Sequence, residues 1–397
     1  MKINKKQEGN IIIAISTFKK IISIFLGPFL TAYFIKTSKE SLIDLSLYHI
    51  FSHVLLTIGA FAVANIIKNK FRIGMFRIGV ISNLFYIMAI IILKQNIINH
   101  LVLISILYGI SASTYWFPYN LFVTNRIDNK ERTNYTVKAK IVSSLTRIIC
   151  PFLLGSIITA TNYELTAIII LFVSIIQIIL SFLLEPEREE NLTKINYKNT
   201  FKELKDNEPI RRLLKVEFLA GMNNSDTALE ILITILIFNS FKTNLNLGLI
   251  NSITAILSMV AVKIYGKKYK NKNDKNIITI SSIMPVIAIF LLLIWKNNIT
   301  IIIYNIFYVI LVAILTLTRD IRLWNISDSS IVKKENQCEF LVMREAVLNL
   351  GRILGYLMLL IAGLCNSNIL LNIILILLTL SMPIMGINIR KLDKYET

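Results

Sequence analysis

Blocks of about 20 apolar residues recur along the whole chain, and nothing else in the sequence constrains its fold as strongly. A hydrocarbon core ~30 Å thick is crossed by roughly 20 helical residues at 1.5 Å each. The blocks are continuous runs, not the alternating segments of about ten residues that build an outer-membrane barrel. Lipid offers no partner to exposed backbone, so each block must be a helix. Twelve spans are read: 11–35, 42–67, 73–93, 98–123, 137–160, 164–184, 213–238, 245–265, 277–295, 299–326, 340–363 and 368–389. The expected fold is all-α and polytopic. The basic N-terminus MKINKKQEGN precedes a run with no small-residue cleavage site, so the first span is read as retained.

Charge sets the orientation. With both termini in the cytoplasm, the segments on that side hold 35 Lys and Arg, and those on the far side hold five. That bias is the positive-inside signature of a cell-membrane protein. It also accounts for the net charge of +19, because basic inner loops meet anionic headgroups. Nucleic-acid binding would need a soluble basic domain, and the sequence has none. The three cysteines, Cys150, Cys338 and Cys365, form no paired motif, so no disulfide, metal site or cofactor is expected.

The longest polar stretch, 185–212, divides the spans six and six. The expected domains are a bundle over 1–184, a cytoplasmic linker over 185–212 and a second bundle over 213–397. The halves also echo one another. VSSLTRIICPFLLG in span five aligns with VLNLGRILGYLMLL in span eleven, which pairs Arg147 with Arg352.

These features resemble the major facilitator superfamily of secondary transporters. Its inner-loop motif is degenerate in FAVANIIKNKFRIG, where Asn65 stands at the usual Asp. The loop after span eight, VKIYGKKYK, keeps Gly266, Lys267 and Lys268, with Lys263 at the acidic position. Span five keeps Pro151 and Gly155 of an antiporter pattern that Cys150 and Leu154 interrupt. The resemblance implies two six-helix bundles rocking about a central site, a small-molecule substrate, and no enzymatic activity. The Pro151/Gly155 feature points to proton-coupled efflux by an antiporter. A transport-inactive relative acting in sensing or self-protection is the alternative. The protein is expected to act as a monomer.

Charges inside spans are the site candidates, because each costs ~2.5–3.5 kcal/mol at mid-membrane. Lys19 and Lys20 fall within span one unless it begins at Ile21, which would leave too few residues to cross. They are either an inner-interface pair or a cavity cation. Neighbours point ~100° apart, so the second role suits one of them. In span seven, GMNNSDTALEIL spaces Asn223, Asp226 and Glu230 along one helix face. Since spans one and seven meet at the cavity in this family, Asp226, and less directly Glu230, is expected to interact with Lys19 or Lys20. That contact either couples proton flow or statically pins the bundles. Arg147 and Arg352 are read as structural or substrate contacts, with Glu345 two turns before Arg352. A surplus of cations in one cavity would favour an anionic or zwitterionic solute. Tyr115 and Trp116 in span four are candidate cavity walls. Arg319 and Asp320, with Gly266, Lys267 and Lys268, are gate candidates. His49 and His53 share a face of span two as a packed or proton-relaying pair.

Overall fold

The computed structural model describes residues 5–38, 41–67, 72–126, 129–185, 197–224, 226–269, 274–328, 332 and 336–392. Among them there is no strand. The helices are α1 (Lys5–Ile24), α2 (Leu30–Thr37), α3 (Ser41–Ile67), α4 (Arg72–Leu93), α5 (Leu101–Arg126), α6 (Asn129–Ala160), α7 (Tyr163–Phe182), α8 (Tyr197–Asp206), α9 (Glu208–Asn223), α10 (Ala228–Phe241), α11 (Asn244–Tyr269), α12 (Asp274–Ile294), α13 (Asn298–Asp328), α14 (Gln337–Leu364) and α15 (Asn368–Leu392).

Among the described residues, ten segments are long and apolar enough to cross a membrane. One of them, Ile73–Tyr119, runs to 47 residues and contains both α4 and α5. The split passage α9–α10 lies outside those ten, and with it the helices fall where the twelve apolar blocks predict. Large apolar side chains such as Ile92, Ile299 and Ile369 stand 68–73% exposed. On a water-soluble surface so many would be a liability, and in a multi-pass membrane protein they are the lipid-facing wall.

Span one is one helical passage with a wide turn. Pro28 cannot donate a backbone hydrogen bond, and residues Phe25–Phe29 adopt a π-helical turn that absorbs the loss before α2 resumes.

The helices group into two compact units. The first comprises 1–38, 51–194 and 243–252. In it α4 packs on α5 and α7, and α1 packs on α6 and α7. Its core joins Ile12, Ile15, Phe76, Val80 and Tyr115. The second comprises 39–50, 195–242 and 253–397. In it α9 packs on α14 and α15, and α12 on α13 and α15.

Each unit contains a crossing so tight that only glycine fits. In the first, a Cβ at Gly155 would lie 2.5 Å from the Asn244 carbonyl oxygen. In the second, a Cβ at Gly351 would lie 2.0 Å from the carbonyl oxygen of Phe218. The side-chain-free faces let the helix backbones touch, a packing mode well suited to apolar surroundings.

Candidate functional site

The seventh span is where structure departs most from the expected helix. Asn223, Asp226 and Glu230 do not share a continuous helical face, because the helix stops at Asn223 and restarts at Ala228. The text around the break, NNSDT, is rich in residues whose short polar side chains compete with helical hydrogen bonds. Asp226 has φ +59°, the left-handed region that non-glycine residues seldom enter.

A capping arrangement restarts the helix. Thr227 is the N-cap of α10, and its side-chain oxygen accepts from the Glu230 backbone N–H at 3.5 Å. The Glu230 carboxylate reaches back to accept the Asp226 backbone N–H at 2.5 Å. This is a variant of the Thr-x-x-Glu capping box, shifted one residue outward. At the other side of the break, the Tyr308 hydroxyl donates to the carbonyls of Asn223 and Asn224, at 3.0 and 3.1 Å. These contacts satisfy backbone groups that would otherwise stand unpaired in the span.

Asp226 therefore projects from a strained turn. Its Oδ1 lies 4.0 Å from Nδ1 of His49, whose ring stacks on Tyr356 at 4.4 Å with 3° between planes. His49 is buried and Asp226 part-exposed. One neighbour of the Asp226 carboxylate in its unit is thus an imidazole contributed by α3. Asn223 is fully buried and donates to Ser381 Oγ at 2.8 Å. Among the described residues, its Oδ1 and both polar side-chain atoms of Asn224 are buried without a hydrogen-bond partner.

The second unit also holds an ion cluster that the sequence only half anticipates. Glu217 on α9 is wholly buried between two guanidinium groups, with Arg319 Nε at 3.6 Å and Arg344 Nε at 3.3 Å. Arg319 in turn donates to Asp320 at 2.8 Å. Arg319 and Asp320 are gate candidates from the sequence, whereas Glu217 and Arg344 do not stand out there. Glu217 lies at the basic edge of span seven, where a lone acid reads as a boundary residue. Its i, i+4 relation to Gly221, a glycine buried in a helix crossing, is the signal that places it on an inward face. Along α14, Arg352 donates to Asn349 Oδ1 at 3.1 Å, and Asn349 donates to the Glu345 backbone carbonyl at 3.0 Å and to the Glu345 carboxylate Oε1 at 3.4 Å. Asn349 thus bridges the two charges that the sequence set on one side of the helix.

In the first unit the lysines diverge. Lys19 is 6% exposed, donates to Asn83 Oδ1 at 2.8 Å and lies 5.1 Å from the centre of the Tyr115 ring. Ser111 also donates to Asn83 Oδ1, at 3.3 Å. Lys20 turns toward α6 and donates to Ser143 Oγ at 2.9 Å. Tyr115 is buried, while Trp116 stands edge-on to it and exposed, so the two rings do not line one wall. Arg147 is exposed and Arg352 intermediate, so the matched arginines occupy different environments. Gly266 is exposed near the end of α11, with open space where a Cβ would stand. Lys267 and Lys268 continue that helix, and their side chains lie outside the described residues.

The profile of the Major Facilitator Superfamily matches residues 11–321. The chain is 24% identical over 368 residues to an uncharacterized protein, YqgE, of Bacillus subtilis (strain 168), covering 90% of this chain and 83% of that one. Among solved structures it resembles the nucleoside transporter NupG (TM-score 0.67, 12% identity, 98% of this chain and 99% of that chain). It also resembles a bacterial homologue of the iron transporter ferroportin in an inward-facing state (TM-score 0.68, 11% identity, 98% of both chains). A third likeness is to a bacterial metal transporter (TM-score 0.63, 9% identity, 98% of both chains). At these identities the solved structures establish the fold, and the profile establishes the kinship. The chain belongs to the Major Facilitator Superfamily, and is a membrane transporter rather than an enzyme.

Proposed function

We propose that the protein is a secondary active transporter that exports a small solute across the cell membrane in exchange for protons. The observation carrying this reading is the broken seventh span, which sets Asp226 in a left-handed turn with its carboxylate 4.0 Å from His49. A part-exposed carboxylate held by a strained backbone and facing an imidazole brings together two groups that can pass a proton, which supports this reading. Intramembrane acids of this kind mark ion pathways. Glu230 serves chiefly as the cap that holds the turn. Alternating access by two six-span halves, 1–184 and 213–397, with both termini cytoplasmic, completes the scheme.

The solved relatives are named for nucleosides and metals, so kinship alone does not choose the solute. The test is flux in proteoliposomes with and without an imposed pH gradient, wild type against Asp226→Asn. Loss of gradient-driven flux with solute binding retained is the expected outcome. Equal gradient-driven flux in the variant would refute coupling at Asp226. A second reading, a transport-inactive relative acting in sensing, is favoured by one observation. Asn65 replaces the acid of the inner-loop motif, on an exposed face of α3. Absence of flux for every solute tested, alongside a cellular phenotype, would support it.

A further inference from the structure

In the first unit a cation is buried among neutral partners. The Lys19 ammonium on α1 donates to Asn83 Oδ1 on α4 at 2.8 Å and stands over the Tyr115 ring of α5, 5.1 Å from its centre. All three residues are buried. Among the described residues Lys19 forms no ion pair. Gly79 brings the two neutral partners together. A Cβ there would meet the Tyr115 backbone nitrogen at 2.6 Å, so α4 and α5 touch, and Ser111 of α5 donates to both the Gly79 carbonyl and Asn83 Oδ1 at 3.3 Å.

The hydrogen bonds of this cluster do not balance. An ammonium has three N–H donors and no acceptor, so the Asn83 amide must turn its oxygen toward Lys19. That oxygen already accepts from Lys19 and from Ser111. Among the described residues, Nδ2 of the same amide and the Tyr115 hydroxyl are buried with no hydrogen-bond partner. The cluster therefore gathers one full positive charge and a surplus of N–H and O–H groups, with no acid to answer them. A charge held only by neutral partners inside a span is costly. A static tie between α1 and Asn83 needs no charge, since a neutral donor at position 19 would make the same bond. The cost is explained if a negative group joins the cluster.

We propose that Lys19, Asn83 and Tyr115 form a binding site for the carboxylate of an organic monoacid, with Lys19 as its counter-ion. One lysine calls for one negative charge, and a carboxylate accepts several N–H and O–H bonds at once. The surroundings are apolar: Ile15, Phe76 and Val80 pack with Tyr115 in one core cluster. The Tyr115 ring also stacks on Tyr119, 5.7 Å between centres. Apolar and aromatic neighbours suit the body of an organic acid, whereas a small inorganic anion gains only the charge. The site deepens the transporter reading by naming the cargo class, and rests on that reading only for the ligand's being carried.

The experiment uses the full chain in phosphatidylcholine nanodiscs, titrated calorimetrically with benzoate, with its neutral isostere benzamide and with inorganic phosphate. Saturable benzoate binding is expected, with benzamide and phosphate each at least tenfold weaker. Lys19→Met should weaken benzoate at least tenfold. Asn83→Asp supplies a resident carboxylate beside the ammonium, so it should also weaken benzoate at least tenfold while raising the unfolding temperature. Absence of benzoate binding would overturn the site, as would equal binding of benzamide or unchanged affinity in either variant. Phosphate binding as tight as benzoate would overturn the organic monoacid. If replacing part of the disc lipid with phosphatidylglycerol abolishes benzoate binding, the occupant is a lipid headgroup and the proposal falls. Should Lys19→Met fail to fold, Asn83→Asp and the comparison of probes on the wild type still decide. No gradient is imposed, so the outcomes separate. Missing benzoate binding in a protein that performs gradient-driven flux refutes the site alone, and binding without any flux refutes proton-coupled export alone.

Discussion

Removing the Glu217 carboxylate is the most severe single test of how the second unit is held together. Its two guanidinium neighbours stand at 3.6 and 3.3 Å, and the side chain has no exposure at all. At an effective dielectric constant of about 20, each contact is worth about 5 kcal/mol of attraction. Most of that offsets the desolvation of three charges, so the cluster as a whole adds little net stability. Breaking it is a different matter. Glu217→Ala leaves the buried Arg319 and the half-buried Arg344 without the acid they share, and a loss of ~3–5 kcal/mol is expected. Glu217→Gln keeps an oxygen acceptor and the volume, and should lose less. Equilibrium unfolding of the purified protein in mixed micelles, followed by circular dichroism, measures both. A double-mutant cycle with Arg344→Ala should return a coupling of ~0.5–3 kcal/mol. A loss below about 1 kcal/mol for Glu217→Ala, or strict additivity with Arg344→Ala, would refute the claim that this acid is the hub of α9, α13 and α14.

Other expectations follow from the same geometry. Gly351→Ala places a methyl group 2.0 Å from a backbone oxygen of α9, and should cost at least the ~1–3 kcal/mol typical of overpacking, read by the same unfolding assay. Thr227→Ala removes the N-cap of α10 and should cost ~0.5–2 kcal/mol, with faster amide exchange confined to the first turn of α10. Tyr308→Phe strips the hydroxyl from the Asn223 and Asn224 carbonyls, a loss of ~0.5–1.5 kcal/mol in unfolding experiments.

Span positions were legible because they depend on one strong term, the transfer of some 20 apolar residues into lipid, which tolerates almost any sequence detail. The described helices start and stop within a few residues of the apolar blocks, apart from extensions such as the first turns of α6. The break in span seven depends instead on local competition for backbone hydrogen bonds. A periodicity reading carries a helix straight through NNSDT, whereas Thr227 and Glu230 carry the restart signal in plain view. The lysine pair illustrates another limit. Adjacency told us that Lys19 and Lys20 face different ways, but not that Asn83 and Tyr115 would receive one and Ser143 the other, since those partners come from helices 60 or more residues away. Glu217 was missed for the converse reason: its partners lie more than 100 residues downstream, and nothing local distinguishes it from a loop acid.

The interruption at Asn224 also bears on how the chain enters the bilayer. With 16 and 14 residues, α9 and α10 rise about 24 and 21 Å, and neither alone matches a hydrocarbon layer of ~30 Å. Further, α9 brings Arg211, Arg212, Lys215 and Glu217 with it. During biosynthesis this passage is a poor candidate for autonomous partitioning, and its integration must wait for α14 and α15 to offer protein surfaces in place of lipid. Damage to those later helices should therefore surface first as chains with the seventh passage left outside the membrane and every downstream loop on the wrong side.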